Sequence, residues 1–429
     1  MKKIICQSLT ILCFSFFIFS KTNAQNVGIN ATGALPDASA MLHVDGGSKG
    51  FLVTGSPGGG VPDLGPGSRL MFYPANAAFR AGNVTGTQWN NINVGLYSVA
   101  MGNNTIASGN SSTAMGNNTL ASGANSTAMG INSIANNSSA TALGNTTVAS
   151  GVNASAMGIF TNASGANSTA MGNNTVASGA NSTAMGINTT ASNISSTAMG
   201  NNTVASGTNS TAMGNSTIAS GTSSFATGNF TTASGLRSTA MGSNVSTNSK
   251  TGAFIIGDQF GTGSSSSADN EMTMGFSGGF RLYTNSGATI GAFLPANGNA
   301  WVSISDVNRK ENFEPLDGEE VLQKFSKINF TSWNYKQQDP KIYRHYGIMA
   351  QDFYKAFGHD QFGTVGNDTT VNPIDMIGID MTAIQALEKR TVDLKNENER
   401  LKTSVAELQR KFTKQQKLIE QILNDKNKR

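Results

Sequence analysis

Between Ala100 and Gly242 the chain repeats every fourteen residues without a single insertion. Methionine followed by glycine returns at Met101, Met115, Met129, Met157, Met171, Met185, Met199, Met213 and Met241, with Leu143 and Thr227 in the two remaining places. A tighter period runs inside it: every seventh residue from Ala100 to Ala240 is alanine, and glycine stands two residues later except at Asn137 and Asn193. Asparagine is the residue after glycine that best tolerates a left-handed backbone. The glycine column therefore predicts a turn with positive φ at each of its positions. A strict internal period outranks local propensity in deciding architecture.

A seven-residue period also describes a coiled coil, but that structure needs large apolar residues at two places per heptad and strong helix formers between them. The repeat instead carries Gly, Asn, Ser and Thr, and Arg237 is the one charged residue from Ala100 to Asn248. Thr-Ala-Met-Gly followed by Val-Ala-Ser-Gly reads as two short strands separated by turns. Side chains alternate along a strand, so Ala107 and Ala114 face one way while Ile106, Thr113 and Met115 face the other. The expectation is a β-roll that buries the larger row and leaves a flat alanine face for another copy. Each coil hides its apolar side only by stacking on its neighbours. At about 4.8 Å per strand, roughly ten coils make a rod on the order of 50 Å long. Three-fold closure of a homo-oligomer is the natural arrangement for such a rod.

The run from Asn167 to Gly179, already clear at Asn125 to Gly130, resembles the head repeat of trimeric autotransporter adhesins. The resemblance implies a left-handed parallel β-roll, three chains side by side, and adhesion at a bacterial surface. It departs at Thr113 and Met115, where that family places Val and Ile. No set of membrane-spanning strands ends the sequence, so the likeness is to the head alone.

Residues 1–24 read as a secretory signal: Lys2 and Lys3, an apolar run Ile4 to Phe19, and Thr22-Asn23-Ala24 before Gln25. Both cysteines, Cys6 and Cys13, fall inside it, so the exported protein has no thiol or disulfide chemistry. Residues 25–99 read as a β-rich head or cap, with strands over Ser39–Val44 and Gly50–Thr54 across a Gly-Gly turn and a third over Arg69–Pro74. His43 has no second ligand nearby, and no metal or cofactor is expected. After the repeats at 100–248, residues 249–304 bring aromatic strands around Phe254, Met272 and Phe280, with a Gly/Ser linker at Gly261–Ala268. Larger side chains there imply a thicker core, as where three chains wrap into one β-prism.

Ser305-Asp306, with Lys310 five residues after the serine, follows the strand Ala300–Ser303, and Gly347-Ile348-Met349-Ala350-Gln351-Asp352 lies downstream. Together these resemble the intramolecular chaperone domain of endosialidases and phage tail fibres, a self-cleaving serine peptidase with a Ser–Lys dyad. By that resemblance Ser305 is the nucleophile, Lys310 its base and Ser305–Asp306 the bond cut, with Asn312, His345, Gly347, Gln351 and Asp352 in supporting places. His345 is either part of that site or a structural histidine. Asn308 and Arg309 depart from the Arg-Leu usual in the family. A serine hydroxyl is unreactive until a neighbour takes its proton, and a lysine does so only where burial or a nearby cation depresses its pKa. Burial among docked chains, and Arg309, would supply that.

The chaperone domain is expected over 305–380 and a coiled coil over 381–429. Ile384, Thr391, Asn398, Val405, Phe412 and Ile419 take position a, and Leu387, Leu394, Leu401, Leu408, Gln415 and Ile422 take d. A polar Asn398 at a sets register at some cost in stability.

Three functional classes are open. The first is a secreted homotrimeric surface fibre, mainly β, whose C-terminal chaperone cuts itself off. The second is a carbohydrate- or ice-binding rod using rows of Thr and Asn, such as Asn117-Asn118-Thr119, on a permanent trimerisation base. The third is a tail-spike-like enzyme. Against the third, Ala100–Asn248 holds no Asp or Glu, and Asp258, Asp269 and Glu271 sit in a Gly/Ser setting. The net charge of +4 comes mostly from the C-terminal third, which gives the rod no basis for binding nucleic acid.

Overall fold

The structure is a computed structural model that describes residues 26–56, 58, 60–258 and 263–428. The signal segment lies outside the described residues, as does part of the expected linker. The chain divides into two compact units: one runs to Leu282 and includes 293–302, the other comprises 283–292 and everything from Ser303.

The first unit is a β-solenoid. Each fourteen-residue turn contributes one long strand and one short strand, such as Thr113–Asn117 and Leu120–Ala121. The long strands form a fifteen-stranded sheet and the short ones a twelve-stranded sheet. Within the repeat all pairing is parallel and in register, so like meets like: Ala114 pairs with Ala128, Met115 with Met129 and Gly116 with Gly130. The roll begins before the repeat. Gly67–Tyr73 and Ala78–Val84 form an antiparallel hairpin, and Ala78–Val84 then pairs in parallel with Val99–Asn103. It also continues past the repeat through Phe254–Gly257 and Met272–Gly275. Ser264–Ser265, expected as linker, is a short-sheet strand paired with Val245–Ser246.

The interior is the reverse of the sequence expectation. The alanine row is fully buried, and alternating with it are buried Ser112, Thr119, Ser126 and their equivalents, whereas Thr113 and Met115 sit half-buried on the outside. The side chains that the regular turns bury between their two sheets are thus no larger than threonine. Each buried methyl adds only about 0.8 kcal/mol, so the backbone ladder and its neighbours carry most of each turn.

The glycine column splits into two kinds. The glycines after methionine have positive φ, from 111° at Gly242 to 126° at Gly186, and face the next rung so closely that a Cβ on Gly116 would lie 2.0 Å from Gly130 O. The glycines after serine are not left-handed. The left-handed corners fall instead on a separate seven-residue series running through Asn104, Ser111, Asn118 and Asn125, each with φ between 52° and 57°. Asn137 and Asn193 therefore do not mark positive φ. They give up the second amide bond that Gly123 donates to Ala135 O, and their side-chain amides bond Ser150 O and Ser206 O instead, at 3.0 and 3.1 Å.

At the N-terminal mouth Arg80 occupies the line of the alanines and is fully buried. Its guanidinium donates to Phe79 O, Ser98 O, Ser98 Oγ and Ala107 O, and the buried Trp89 indole donates to Thr105 O. Burial lowers the Arg80 pKa to about 10. Near the other end Ile255 and Val245 replace the small residues and thicken the core. Ahead of the roll, Leu42–Asp45 pairs in parallel with Val27–Asn30, and Gly50–Thr54 is not a strand. The Gly46-Gly47 turn is present, but it does not close the expected hairpin. His43 Nδ1 accepts the Asp37 amide.

The second unit holds three helices, which we label α1 (Gly318–Phe325), α2 (Ala350–Phe357) and α3 (Pro373–Lys426), and a hairpin of Thr331–Trp333 with His345–Gly347. Asp317 caps α1, and Asn372 caps α3 with proline at its first position. α3 thus starts ahead of residue 381, where the coiled coil was expected to begin, because the cap and proline set the start of the helix. α1 packs on α3 at Ala383 and Ala386, and Arg390 Nε reaches Glu319 Oε1 at 3.0 Å. That contact uses the flank of α3 away from the a and d positions. Leu387, Leu394, Leu401 and Leu408 remain 50–63% exposed in the single chain.

Candidate functional site

The segment around Ser305 is built on hydrogen bonds to the loop 283–292. Ile304 N donates to Gly291 O at 3.5 Å, and Arg309 Nη1 donates to Thr289 O at 3.4 Å. Asp306 then caps a 3₁₀ turn, Val307–Arg309, its carboxylate accepting from Asn308 N and Asn308 Nδ2 at 3.0 Å each. Lys310 follows in extended conformation with φ −123°. A 3₁₀ turn rises only about 2 Å per residue, so its two ends stay within reach of a lysine stem. Lys310 Nζ donates to Ser305 Oγ at 2.7 Å. The five-residue spacing has a mechanical meaning: it is the length of one capped turn plus the residues to be joined.

Arg309 turns away from this pair toward the Asp306 carboxylate, with Nε 3.7 Å from Oδ2. Its charge is set against that carboxylate rather than against the lysine amine, as the expectation had it. Lys310 takes part in none of the ion pairs formed among the described residues. Ser305, Asp306 and Lys310 are all exposed in the single chain.

The other residues named from the sequence lie on different elements. Asn312 follows the turn with a left-handed φ of 57°. His345 belongs to the hairpin, where its ring lies 4.7 Å from Trp333 and 5.6 Å from Tyr335. Its Nε2 and the Trp333 Nε1 are buried without partners. Gly347 closes that hairpin opposite Thr331, while Gln351 and Asp352 fall in the first turn of α2. No hydrogen bond among the described residues joins any of these to Ser305 or Lys310. Trp333 and Tyr335, which make the histidine's surroundings, were not singled out from the sequence; two aromatics two residues apart, one ending the strand and one just past it, are the only signal. A cavity of about 380 Å³ lies between α1, α2 and the start of α3, floored by Val321, Phe353 and Phe357 and rimmed by Asp317, Glu320 and Asp375. It does not include the serine–lysine pair.

The outer corners of the solenoid carry asparagine ladders. Asn174 bonds Asn188, and Asn188 bonds Asn202, at 2.8 and 3.1 Å; Asn153, Asn167 and Asn181 form a second file. These amides use their donors on one another, which suits a neutral solvated edge.

Comparison with family models gives two matches. Residues 305–360 match the chaperone of endosialidase, beginning at Ser305 itself. Segments 94–119, 121–147, 149–175, 177–203, 191–217, 205–231 and 219–244 match the YadA head domain repeat. The chain joins adhesin-type head repeats to a chaperone-of-endosialidase domain. No curated protein matches it. The head-repeat matches cover the solenoid's regular turns, and the chaperone match takes in the serine–lysine turn, the hairpin and α2.

Proposed function

We propose that this is a secreted, homotrimeric surface fibre whose solenoid is the lasting part and whose C-terminal unit drives assembly and then cuts itself away at Ser305–Asp306. The observation that carries the reading is the Lys310 Nζ–Ser305 Oγ contact of 2.7 Å, in a segment that matches the chaperone of endosialidase. Both matched families point to extracellular or surface proteins, and head repeats of this type imply a homotrimer. The open a/d stripe of α3 supports a three-helix coil, since α1 occupies only its outer flank.

The logic is kinetic. Pairing distant parallel strands in three chains is slow and prone to error. A coil that holds the chains together raises their effective concentration, and its removal afterwards makes the assembly hard to reverse. Burial of the dyad among docked chains would strip water from Lys310 and favour its neutral, proton-accepting form. Cleavage would then follow assembly.

The test is intact mass of wild type beside Ser305→Ala and Lys310→Ala, with native mass for the oligomer. The expected result is a wild-type fragment ending at Ser305 that is missing from both variants, on trimers in all three. Uncut wild-type trimers would remove the self-processing, and monomers throughout would sink the assembly reading as well.

A further inference from the structure

The dyad is complete within one chain, yet the bond it is proposed to cut is out of its own reach. Oγ, Cβ, Cα and the carbonyl carbon of Ser305 are consecutive atoms, so attack of the hydroxyl on its own carbonyl would close a four-membered ring. The nucleophile cannot then approach from above the carbonyl plane at the separation and alignment that acyl transfer needs. Building on the proposed self-cleavage, we infer that the Ser305–Lys310 pair of one copy cuts the Ser305–Asp306 bond of a neighbouring copy.

Three features of the segment fit this role. Ser305 and Asp306 are exposed, so the bond is presented outward. Among the described residues the Ser305 carbonyl accepts no backbone hydrogen bond, which leaves its carbon and oxygen open to an incoming group. Asp306 is held from the other side, its carboxylate capping the turn, so the departing amine belongs to a structure that keeps its shape once the bond is gone. The one carbonyl a serine can reach within its own chain through a five-membered ring is that of the preceding residue, Ile304. Attack there would break a different bond and would need no partner. Its product would be a shaft fragment ending at Ile304, which mass distinguishes from one ending at Ser305.

The reaction balances with water as the only co-reactant. Lys310 Nζ, neutral, takes the proton of Ser305 Oγ, and Oγ bonds to the neighbour's Ser305 carbonyl carbon. The tetrahedral centre collapses, the bond to the Asp306 nitrogen breaks, and that nitrogen leaves as an amine with the proton returned by Lys310. Water then hydrolyses the ester between the two chains, freeing Oγ and leaving a carboxylate on the neighbour's Ser305. Each cut separates Ser305 from Lys310 in the chain that is cut. The site is consumed by being a substrate, and no chain can act repeatedly after its fragments part.

Mixed oligomers decide the matter. Full-length wild-type chains and Lys310→Ala chains, the latter lengthened by a tag so that fragments differ in mass, are co-expressed at several ratios, purified as oligomers and weighed. Lys310→Ala keeps the scissile bond and lacks the base. With the variant in large excess, action between chains predicts cut Lys310→Ala chains and spared wild-type chains, because each wild-type dyad then faces a variant neighbour. Action within a chain predicts the opposite, wild type cut and variant intact, and that result would overturn the inference. So would a shaft fragment ending at Ile304. Ser305→Ala chains mixed in the same way should be cut at the bond that precedes Asp306, which guards against misfolding of the lysine variant. Wild type that is never cut even alone would fail the proposed self-cleavage itself, together with this inference; wild type cut alone but never across chains would fail only this one.

Discussion

Gly172 and Gly151 belong to the same repeat column, but the structure predicts opposite outcomes when each receives a side chain. At Gly172 φ is +124°, and a Cβ would lie 2.0 Å from Gly186 O and 2.9 Å from its carbonyl carbon. Real Cβ atoms essentially never approach closer than 3.0 Å, so Gly172→Ala must open the rung by about 1 Å or more. That breaks roughly two ladder hydrogen bonds at about 1 kcal/mol each and adds about 1–3 kcal/mol of backbone strain. The expected local cost is roughly 3–5 kcal/mol. A Cβ built on Gly151 would also meet the next rung, 1.9 Å from Gly165 O, but the φ of Gly151 is not left-handed. The chain already carries asparagine at the equivalent Asn137 and Asn193, where a side-chain amide replaces the lost backbone bond. Gly151→Asn should therefore cost only about 1 kcal/mol, one exchanged hydrogen bond. Hydrogen exchange read by mass spectrometry on the full-length protein resolves the two, because solenoid turns open locally. Gly172→Ala should lose protection in its own and the adjoining rungs, by about a hundredfold or more, while Gly151→Asn stays near wild type. Equal loss in both, or none in Gly172→Ala, would refute the argument from φ and rung contact.

Further outcomes follow from the same structure. Ala184→Met should destabilise the solenoid by about 1–3 kcal/mol or more through overpacking, with a much smaller effect from Met185→Ala on the outer face; thermal melting of the two variants checks which row is inside. Arg80→Ala leaves Phe79 O and Ala107 O without their side-chain donor at the buried mouth. Ala107 O keeps the Gly95 amide, so the loss is about 1 kcal/mol for each side-chain hydrogen bond removed, and the first rungs should open to exchange before the rest. Arg390 holds the Glu319 carboxyl below its ordinary value. The stabilisation is therefore present above the ordinary carboxylate range and lost as pH falls through the depressed value, so α1 should lose exchange protection on acidification, and less steeply in Arg390→Ala. Leu401→Asp places a charge on the open stripe of α3 and should shift native mass from trimer toward monomer.

Much of this was legible in the residues. The fourteen-residue period, the exclusion of a helical coil and the long C-terminal helix follow from spacing and composition, because a repeat must stack on itself whatever surrounds it. Ser305 and Lys310 were singled out by the family resemblance, and the capped 3₁₀ turn that brings them within 2.7 Å is a local structure that needs no distant partner. Less legible was the hairpin that holds His345. Its neighbours Trp333 and Tyr335 matter only once two strands pair across eleven intervening residues. The N-terminal strands were misread for the same reason: Leu42–Asp45 finds its partner upstream at Val27–Asn30 rather than across the Gly-Gly turn.

The sequence by itself determined that the chain coils in register with a fourteen-residue period, but not which residues take the left-handed corners, which fall on the series through Asn104, Ser111 and Asn118 rather than on the glycines after serine. Which face of the coil is inside was decided only in three dimensions. Alternation along a strand separates two rows but does not rank them, and hydrophobicity would have chosen methionine. Closure of the turn chose the small row, because a fourteen-residue turn buries Ala, Ser and Thr inside and leaves the methionines outside. That same closure puts Arg80 where an alanine would stand, its guanidinium bonded to the carbonyls at the mouth, a use no local pattern announces.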